Sequence, residues 1–112
     1  MTPDPKPGKR ERRPIRIVDR DVSVTKLLSD PTCRSCGRQA SEGHHIVRRG
    51  SPHFGDDVYA NIMPSCYGCH RDYHDGRNVV FEFTDSEVEY VLDKLGPEPG
   101  RLYLRLRYGK DI

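Results

Sequence analysis

All four cysteines and all five histidines of the chain lie between residues 33 and 74. The cysteines form two Cys-x-x-Cys pairs, Cys33 with Cys36 and Cys66 with Cys69. Four thiolates at this spacing can close a tetrahedral zinc site, and closed four-sulfur sites are structural rather than catalytic. We therefore predict a structural Zn²⁺. A thiol–disulfide enzyme is the alternative, but the chain lacks the βαβ pattern that accompanies a redox Cys-x-x-Cys.

The histidines provide a second set of ligands, and their spacing divides them by role. His70 and His74 are one helical turn apart, so both side chains would project from one face of a helix. His44 and His45 are adjacent, and adjacent side chains on a strand point to opposite faces. We expect one of this pair to bind a divalent ion with His70 and His74, and the other to accept a proton as a general base. Three neutral histidines leave the ion open positions for water and a phosphate oxygen, a combination that predicts phosphodiester hydrolysis.

A tight turn and two short strands would have to position these ligands. Residues 33–37 predict a knuckle, in which Gly37 supplies a backbone conformation that a Cβ atom would hinder. Residues 44–47 and 61–63 predict two short strands. The polar loop between them carries His53, which matches no ligand spacing, and we interpret it as a surface histidine.

A helix and further strands are predicted after the hairpin. Pro64 and Ser65 suit the first turn and the cap of a helix that carries the last two histidines. Residues 79–83 are rich in valine and phenylalanine and predict a strand. Residues 101–108 alternate between leucine-rich and arginine-rich positions, which predicts another strand. Its arginine face contacts either phosphates or solvent.

An amphipathic helix is predicted between these two C-terminal strands. Residues 84–87 fit a capping box. Apolar residues then recur on one helical face, at Val88, Val91, Leu92 and Leu95. Near the other end of the chain, residues 15–18 predict a short strand, whereas residues 21–28 fit either a strand or a helix.

The composition indicates one small domain. The chain has 112 residues, 34% of them hydrophobic, and a mean hydropathy of −0.81, so its core is modest and a structural metal would compensate for it. We expect residues 1–14 to form a disordered basic arm and residues 15–112 a single domain. The first residues lack the apolar core of a secretory signal, and no apolar run approaches the roughly 20 residues that cross a bilayer. We therefore expect an intracellular protein with reduced cysteines.

The net charge is only +2, but basic residues cluster around the ligand segment. The arginines that flank it are Arg48, Arg49, Arg71 and Arg77. We expect these four to contact DNA phosphates, with Arg71 as a bidentate clamp because it lies beside a histidine ligand. Phosphate contacts position a duplex but do not read its sequence. The acidic pair Asp56 and Asp57 should repel DNA and is expected to face away from it.

Residues 33–76 resemble the HNH endonucleases, in particular the small phage-type members with a zinc knuckle. The resemblance rests on Cys-x-x-Cys-Gly, then His-His-Ile-Val, then Asn-Ile-x-Pro-x-Cys-x-x-Cys-His, followed after three residues by His. It implies a ββα-metal fold, also called the His-Me finger, in which a hairpin and a helix hold one catalytic ion. The expected fold class is α+β: this core with a four-cysteine zinc knuckle (motif core 33–76) and added C-terminal strand–helix–strand elements.

Carried over by position, the resemblance also assigns roles. His45 would be the general base, and Asn61 would hold the loop between the strands and help to orient that base. His44, His70 and His74 would bind the catalytic divalent ion, which is Mg²⁺, Mn²⁺, Ni²⁺ or Zn²⁺. A nitrogen-rich ligand set favours the later transition metals over magnesium. The four cysteines would hold the separate structural zinc.

The function predicted from the sequence is therefore a metal-dependent endonuclease that nicks or cuts duplex DNA. The resemblance further suggests a role beside a phage DNA-packaging machinery. The rival hypothesis is a catalytically inactive, zinc-stabilised module that binds DNA or protein. It requires only the cysteines and the basic patches, and it predicts one bound ion where the nuclease predicts two.

Overall fold

The computed structural model describes residues 16–112, so the predicted basic arm at residues 1–14 lies outside the described residues. Helices and a small antiparallel sheet are combined in one α+β arrangement. The elements are α1 (Val22–Ser29), β1 (Glu42–His45), β2 (Ile62–Ser65), α2 (Tyr67–His74), α3 (Asp85–Leu95) and α4 (Pro97–Tyr108), with a 3₁₀ turn at Tyr59–Asn61 before β2. Within residues 16–112, no helix has both the length and the apolar character that a membrane crossing requires.

The hairpin of β1 and β2 lies at the centre of the molecule. The strands are antiparallel, with His44 opposite Met63, and they overlap the strands predicted at residues 44–47 and 61–63. Helix α1 packs directly on β1, because a Cβ atom on Gly43 would come within 2.6 Å of the Ser23 hydroxyl. Only a glycine allows this close approach.

The predicted start of the ligand-bearing helix at Pro64 and Ser65 is wrong, because both residues belong to β2. Proline is tolerated there since the sheet has only two strands, and its missing N–H costs no ladder bond at an edge. Its carbonyl instead accepts a hydrogen bond of 3.0 Å from the Arg34 N–H. Helix α2 begins after Cys66, whose sulfur caps it by accepting the Cys69 N–H at 3.4 Å.

The tight knuckle predicted at residues 33–37 is present. The Cys33 N–H donates to the Arg38 carbonyl at 2.7 Å, and the Gly37 N–H donates back to the Cys33 carbonyl at 3.1 Å. Gly37 has a φ of 80°, in the left-handed region that glycine adopts without strain. The knuckle therefore presents its two cysteines from one compact turn.

The predicted C-terminal strand–helix–strand arrangement is wrong in both of its strands. Residues 79–83, all described, are extended but unpaired as a strand. They run along the core, where Phe81 is buried and Val79 and Phe83 pack against it, whereas Val80 is exposed. The central helix is confirmed as α3, and its capping box is complete: Thr84 accepts the Glu87 N–H, and Glu87 accepts the Thr84 N–H.

The segment predicted as the last strand is helix α4, which packs against α3 as a helical hairpin. It starts with Pro97 in the first turn and ends at Gly109, which has a left-handed φ of 64°. Gly100 lies so close to Leu92 that a Cβ atom would come within 2.9 Å of it. The apolar alternation misled the prediction because only Leu104 of its three leucines is buried, and tyrosines complete the helical face.

The first described residues form no strand at 16–18, and the ambiguous segment 21–28 is helical, as α1. Asp56 and Asp57, which we expect to face away from DNA, are both buried. They accept backbone hydrogen bonds from Ile17 and Asp19. Arg16 forms an ion pair with Asp57, and Lys94 forms one with Asp56, which also accepts a hydrogen bond from the Tyr90 hydroxyl. The acidic pair therefore joins separate segments, since burial in this setting requires partners for each oxygen, and Asp57 also contacts His45.

A second buried carboxylate joins three parts of the chain. Glu87, at the start of α3, is 0% exposed. It forms ion pairs of 3.0 Å with Lys26 of α1 and 2.7 Å with Arg34 of the knuckle. Because these charges are almost fully removed from water, each depends on the others for compensation.

We predict that Glu87→Gln destabilises the protein by about 3–5 kcal/mol, the usual cost of leaving a buried charge without its partner. The amide keeps the shape of the side chain but removes the carboxylate partner of Lys26 and leaves Arg34 paired with Asp30 alone. Urea unfolding of the zinc-loaded protein measures the effect. Glu89→Gln, at an exposed position of the same helix, is the matched control and should change little. Equal unfolding midpoints for the two variants would contradict the role of Glu87.

Candidate metal centres and catalytic cleft

The structure brings the four cysteines together. Ligand sulfurs of Cys33, Cys36, Cys66 and Cys69 all lie within 4.8 Å of one another. The sulfurs of Cys36 and Cys66 are 3.6 Å apart, far beyond a disulfide bond of about 2.0 Å. Tetrahedral Zn–S bonds of about 2.3 Å would place sulfurs about 3.8 Å apart, so the cluster fits zinc.

Hydrogen bonds prepare the cysteine cluster for a cation. Burial raises the pKa of the Cys33 thiol, but backbone N–H groups of Cys36 and Cys66 donate to its sulfur and more than offset this effect. The pKa of Cys33 therefore falls to about 6. A thiolate is the form that binds metal, so this cysteine is ready to act as a ligand at neutral pH.

Three histidines form the second cluster, on the facing sides of β1 and α2. Nδ1 of His44 lies 3.1 Å from Nε2 of His70. Nε2 of His74 lies 3.0 Å from the same His70 nitrogen. Three imidazole nitrogens therefore converge on one point, and imidazole suits zinc, nickel, copper and iron.

The outer nitrogens of two of these rings have partners that fix the protonation of each ring. Nε2 of His44 lies 2.8 Å from the Tyr108 hydroxyl, which itself donates to the Ile46 carbonyl at 2.9 Å. Since that hydroxyl proton is used, His44 must donate through Nε2. Nδ1 of His70 contacts the Glu42 carboxylate, which can only accept. Both rings thus direct a lone pair into the cluster, the arrangement typical of metal-binding histidines.

His44 is also held neutral, as a ligand must be. Burial, together with the smaller effect of positive charge on His70 and His74, lowers the pKa of His44 to about 3. The residues present therefore fit a divalent ion by convergence, by protonation state and by donor type.

His45 has a different environment from His44. It ends β1, and its Nε2 lies 2.8 Å from Oδ1 of Asp57. Because the carboxylate only accepts, Nε2 carries the proton and Nδ1 keeps its lone pair. Burial lowers the pKa of His45 and Asp57 opposes this, while Arg49 and Arg16 lower it further, so the net direction is downward.

One cleft brings the two neighbouring histidines and the cluster together. Its volume is about 300 Å³, and its lining includes His44, His45 and His74. The simple expectation that adjacent histidines face opposite sides is therefore only partly met. Their rings bind different partners, but β1 ends at His45 and both rings line the same cleft. Arg48 and Arg107 also line it and make it cationic.

Asn61 lies behind this cleft and is fully buried. Its Oδ1 accepts the Val47 N–H at 2.8 Å, and its Nδ2 donates to the carbonyls of Val47 and Asp56 at 3.1 and 2.8 Å. It thereby joins the residue two positions after His45 to the residue before Asp57. These bonds suit a positioning residue that acts from behind the reacting groups.

The four predicted DNA-binding arginines are placed differently from one another. Arg48 lines the cleft, and Arg49 is exposed near His45. Arg71 lies on the outside of α2, where it bonds the Tyr67 hydroxyl at 3.2 Å. Arg77 lines a separate groove.

His53, interpreted as a surface histidine, is half-buried against the ring of Tyr103 and lies outside both described ligand clusters. The centroids of the two rings are 4.9 Å apart.

Several residues of the site escaped the sequence prediction. Glu42 could have been found, because it is two positions from His44 and therefore on the same strand face. Tyr108 and Arg107 were hidden by the mistaken strand. Asp57 was interpreted only as a charge that repels DNA. Long-range contacts of this kind leave no local signal in a sequence.

Comparison with known proteins agrees with the geometry. Residues 33–76 match the family model described as HNH endonuclease. No curated protein and no solved structure matches the chain. The match confirms the resemblance inferred from the cysteine and histidine motifs over the same residues. Together with the two ligand clusters, it supports metal binding by this HNH segment.

We predict that the cysteine cluster binds its metal without help from the histidine cluster. Cys36→Ser should abolish tight zinc binding, because a hydroxyl replaces one of four thiolates. His74→Gln should retain that zinc and lose only an exchangeable ion. Elemental analysis before and after dialysis measures both ions, and His53→Gln is the control that should lose neither. Zinc retained by Cys36→Ser, or lost from His74→Gln, would contradict the assignment.

We further predict that Tyr108→Phe weakens metal binding at the histidine cluster by about 10–100-fold, because His44 loses its outer partner. Tyr103→Phe is a closely matched control. Its hydroxyl donates to the same Ile46 carbonyl at 2.9 Å but does not contact a histidine ligand. Competition with a nickel-binding dye measures the affinity. Equal loss in the two variants would show that the effect is structural.

Proposed function

We propose that this protein is a metal-dependent endonuclease that hydrolyses DNA phosphodiester bonds. One observation carries the proposal: His45, with Nδ1 unprotonated, lines the same cleft as His44 and His74, two members of the cluster of three converging histidines. A base beside a metal site is what hydrolysis by an activated water requires. The match of residues 33–76 to the HNH endonuclease model supports the same reaction class.

In this proposal His45 takes a proton from the attacking water through Nδ1. Asp57 holds the ring by its Nε2–H and stabilises the positive charge that the ring acquires. A divalent ion held by His44, His70 and His74 would supply Lewis-acid stabilisation of the phosphate and of the leaving oxygen. Arg48 adds positive charge at the cleft, where the phosphate carries negative charge.

The proposed substrate is duplex DNA, nicked or cut with little sequence preference. The charged groups on the cleft are arginines, which suit phosphate oxygens. Contacts of this kind position the backbone and carry no sequence information. A role beside a phage DNA-packaging machinery stays a proposal that rests on the family resemblance alone.

The rival function is a zinc-stabilised binding module without catalysis. The cysteine cluster and the basic residues would suffice for it. Such a module would not need a second cluster whose rings are held in metal-binding tautomers, nor a histidine oriented by a buried carboxylate. We therefore favour the enzyme.

We predict that the purified protein nicks supercoiled plasmid when supplied with Mn²⁺, Ni²⁺, Zn²⁺ or Mg²⁺. His45→Ala should lower the rate by about 10²–10⁴-fold, the usual contribution of a general base. His53→Ala, a histidine outside the clusters, should cut like the parent. Gel separation of supercoiled, nicked and linear forms measures the rates.

Zinc content and circular dichroism of each variant serve as controls for folding. An active His45→Ala variant would show that another group is the base. A parent protein that shifts DNA in a gel but never cuts it, with any of the four ions, would favour the binding module.

A further inference from the structure

A second depression, here called the arginine groove, lies between residues 76–80 and the end of α4. Its volume is about 570 Å³. It lies outside the core of the HNH match, because α4 follows the matched residues. Its charged lining residues in the described chain are Arg77, Arg105 and Arg107. All of them are cationic.

The arginine groove adjoins the cleft of the proposed active site. Tyr73, Arg107 and Tyr108 line both depressions. Arg107 thus stands at the junction, with its guanidinium 5.3 Å from the centroid of the Tyr103 ring. A polymer bound at the cleft would therefore have the groove as its immediate neighbour on the surface.

The outer two arginines are available to a ligand. Arg77 and Arg105 have side chains that are 71% and 62% exposed. Their acidic neighbours, Asp72 and Asp111, lie at 4.0 and 3.9 Å. Exposed pairs at such distances contribute little and exchange readily for a stronger anion.

The charge balance at the groove favours a polyanion. The end of α4 carries a partial negative charge of about half a unit. The Asp72 and Asp111 carboxylates add two negative charges, so the three guanidinium groups leave only a small positive excess. Guanidinium groups bind phosphate oxygens in a bidentate manner, and a row of them suits a ligand with regularly spaced phosphates.

From this arrangement we propose that the arginine groove binds the phosphate backbone of the DNA that flanks the cleavage site. The proposal rests on the proposed nuclease function and adds a path for the substrate. Arg107 contacts the backbone beside the reacting phosphate, and Arg77 and Arg105 contact it further along. The groove anchors the DNA without reading bases, since phosphate contacts are independent of sequence.

The test compares DNA binding by Arg77→Gln/Arg105→Gln with that by the matched control Arg101→Gln. Arg101 lies on the same helix, is exposed and does not line the groove; the depression that it lines shares only Arg105 with the groove. All proteins carry His45→Ala so that the duplex stays intact. Fluorescence anisotropy with a short labelled DNA duplex, over a range of salt concentrations, gives the affinities.

Loss of two phosphate contacts should make the negative slope of log K against log salt shallower by about 2. The affinity should fall by on the order of ten-fold or more at about 0.1 M salt. Arg101→Gln should leave both unchanged. Equal slopes and affinities for the double variant and the control would overturn the proposal. So would an equal loss in both, because this would indicate general charge attraction.

Plasmid nicking by the same variants with His45 intact separates this proposal from the proposed function. A parent that nicks plasmid, with a double variant that binds DNA normally, would overturn the groove alone. A parent that does not nick, with a double variant that binds DNA weakly, would overturn the nuclease and support the groove.

Discussion

The cluster of four sulfurs is the constraint on which the rest of the site depends. Cys66 caps α2 and Cys69 lies in its first turn, so the point at which the sulfurs meet also sets where this helix begins. His70 follows Cys69 directly. Structural zinc contributes about 10–16 kcal/mol in small domains, comparable with the whole net stability of about 5–15 kcal/mol. The sulfur cluster therefore determines where the histidine cluster lies.

Buried charge supplements this metal constraint in a chain whose core is small. Glu87 links α1, the knuckle and α3, and Asp57 links the first described residues to His45. Such pairs add less stability than apolar packing of equal volume, but they tolerate few alternative arrangements. Around the cleft, buried pairs of this kind therefore help to hold each side chain within a narrow range of orientations.

The chemistry of this protein was easier to predict than its architecture. Cysteine and histidine ligands are recognised by residue type and spacing, and His44, His70 and His74 do converge. Residues 101–108 show the opposite case. Their alternation fits a strand locally, and only the packing of Gly100 against Leu92 and the burial of Tyr108 beside His44 make them a helix. Tertiary contacts of this kind override a local pattern.

Helix α4 also bears on how modular this site is. Both candidate ligand clusters of the described residues lie within residues 33–76, yet the hydroxyl that contacts His44 comes from Tyr108, outside that segment. If the segment were transplanted into another scaffold, it would carry the full ligand set but leave this ring without its partner. The motif alone therefore does not supply every residue that the arrangement of His44 requires. Related chains that keep the motif and replace the C-terminal helices would need a different donor or acceptor at the same place.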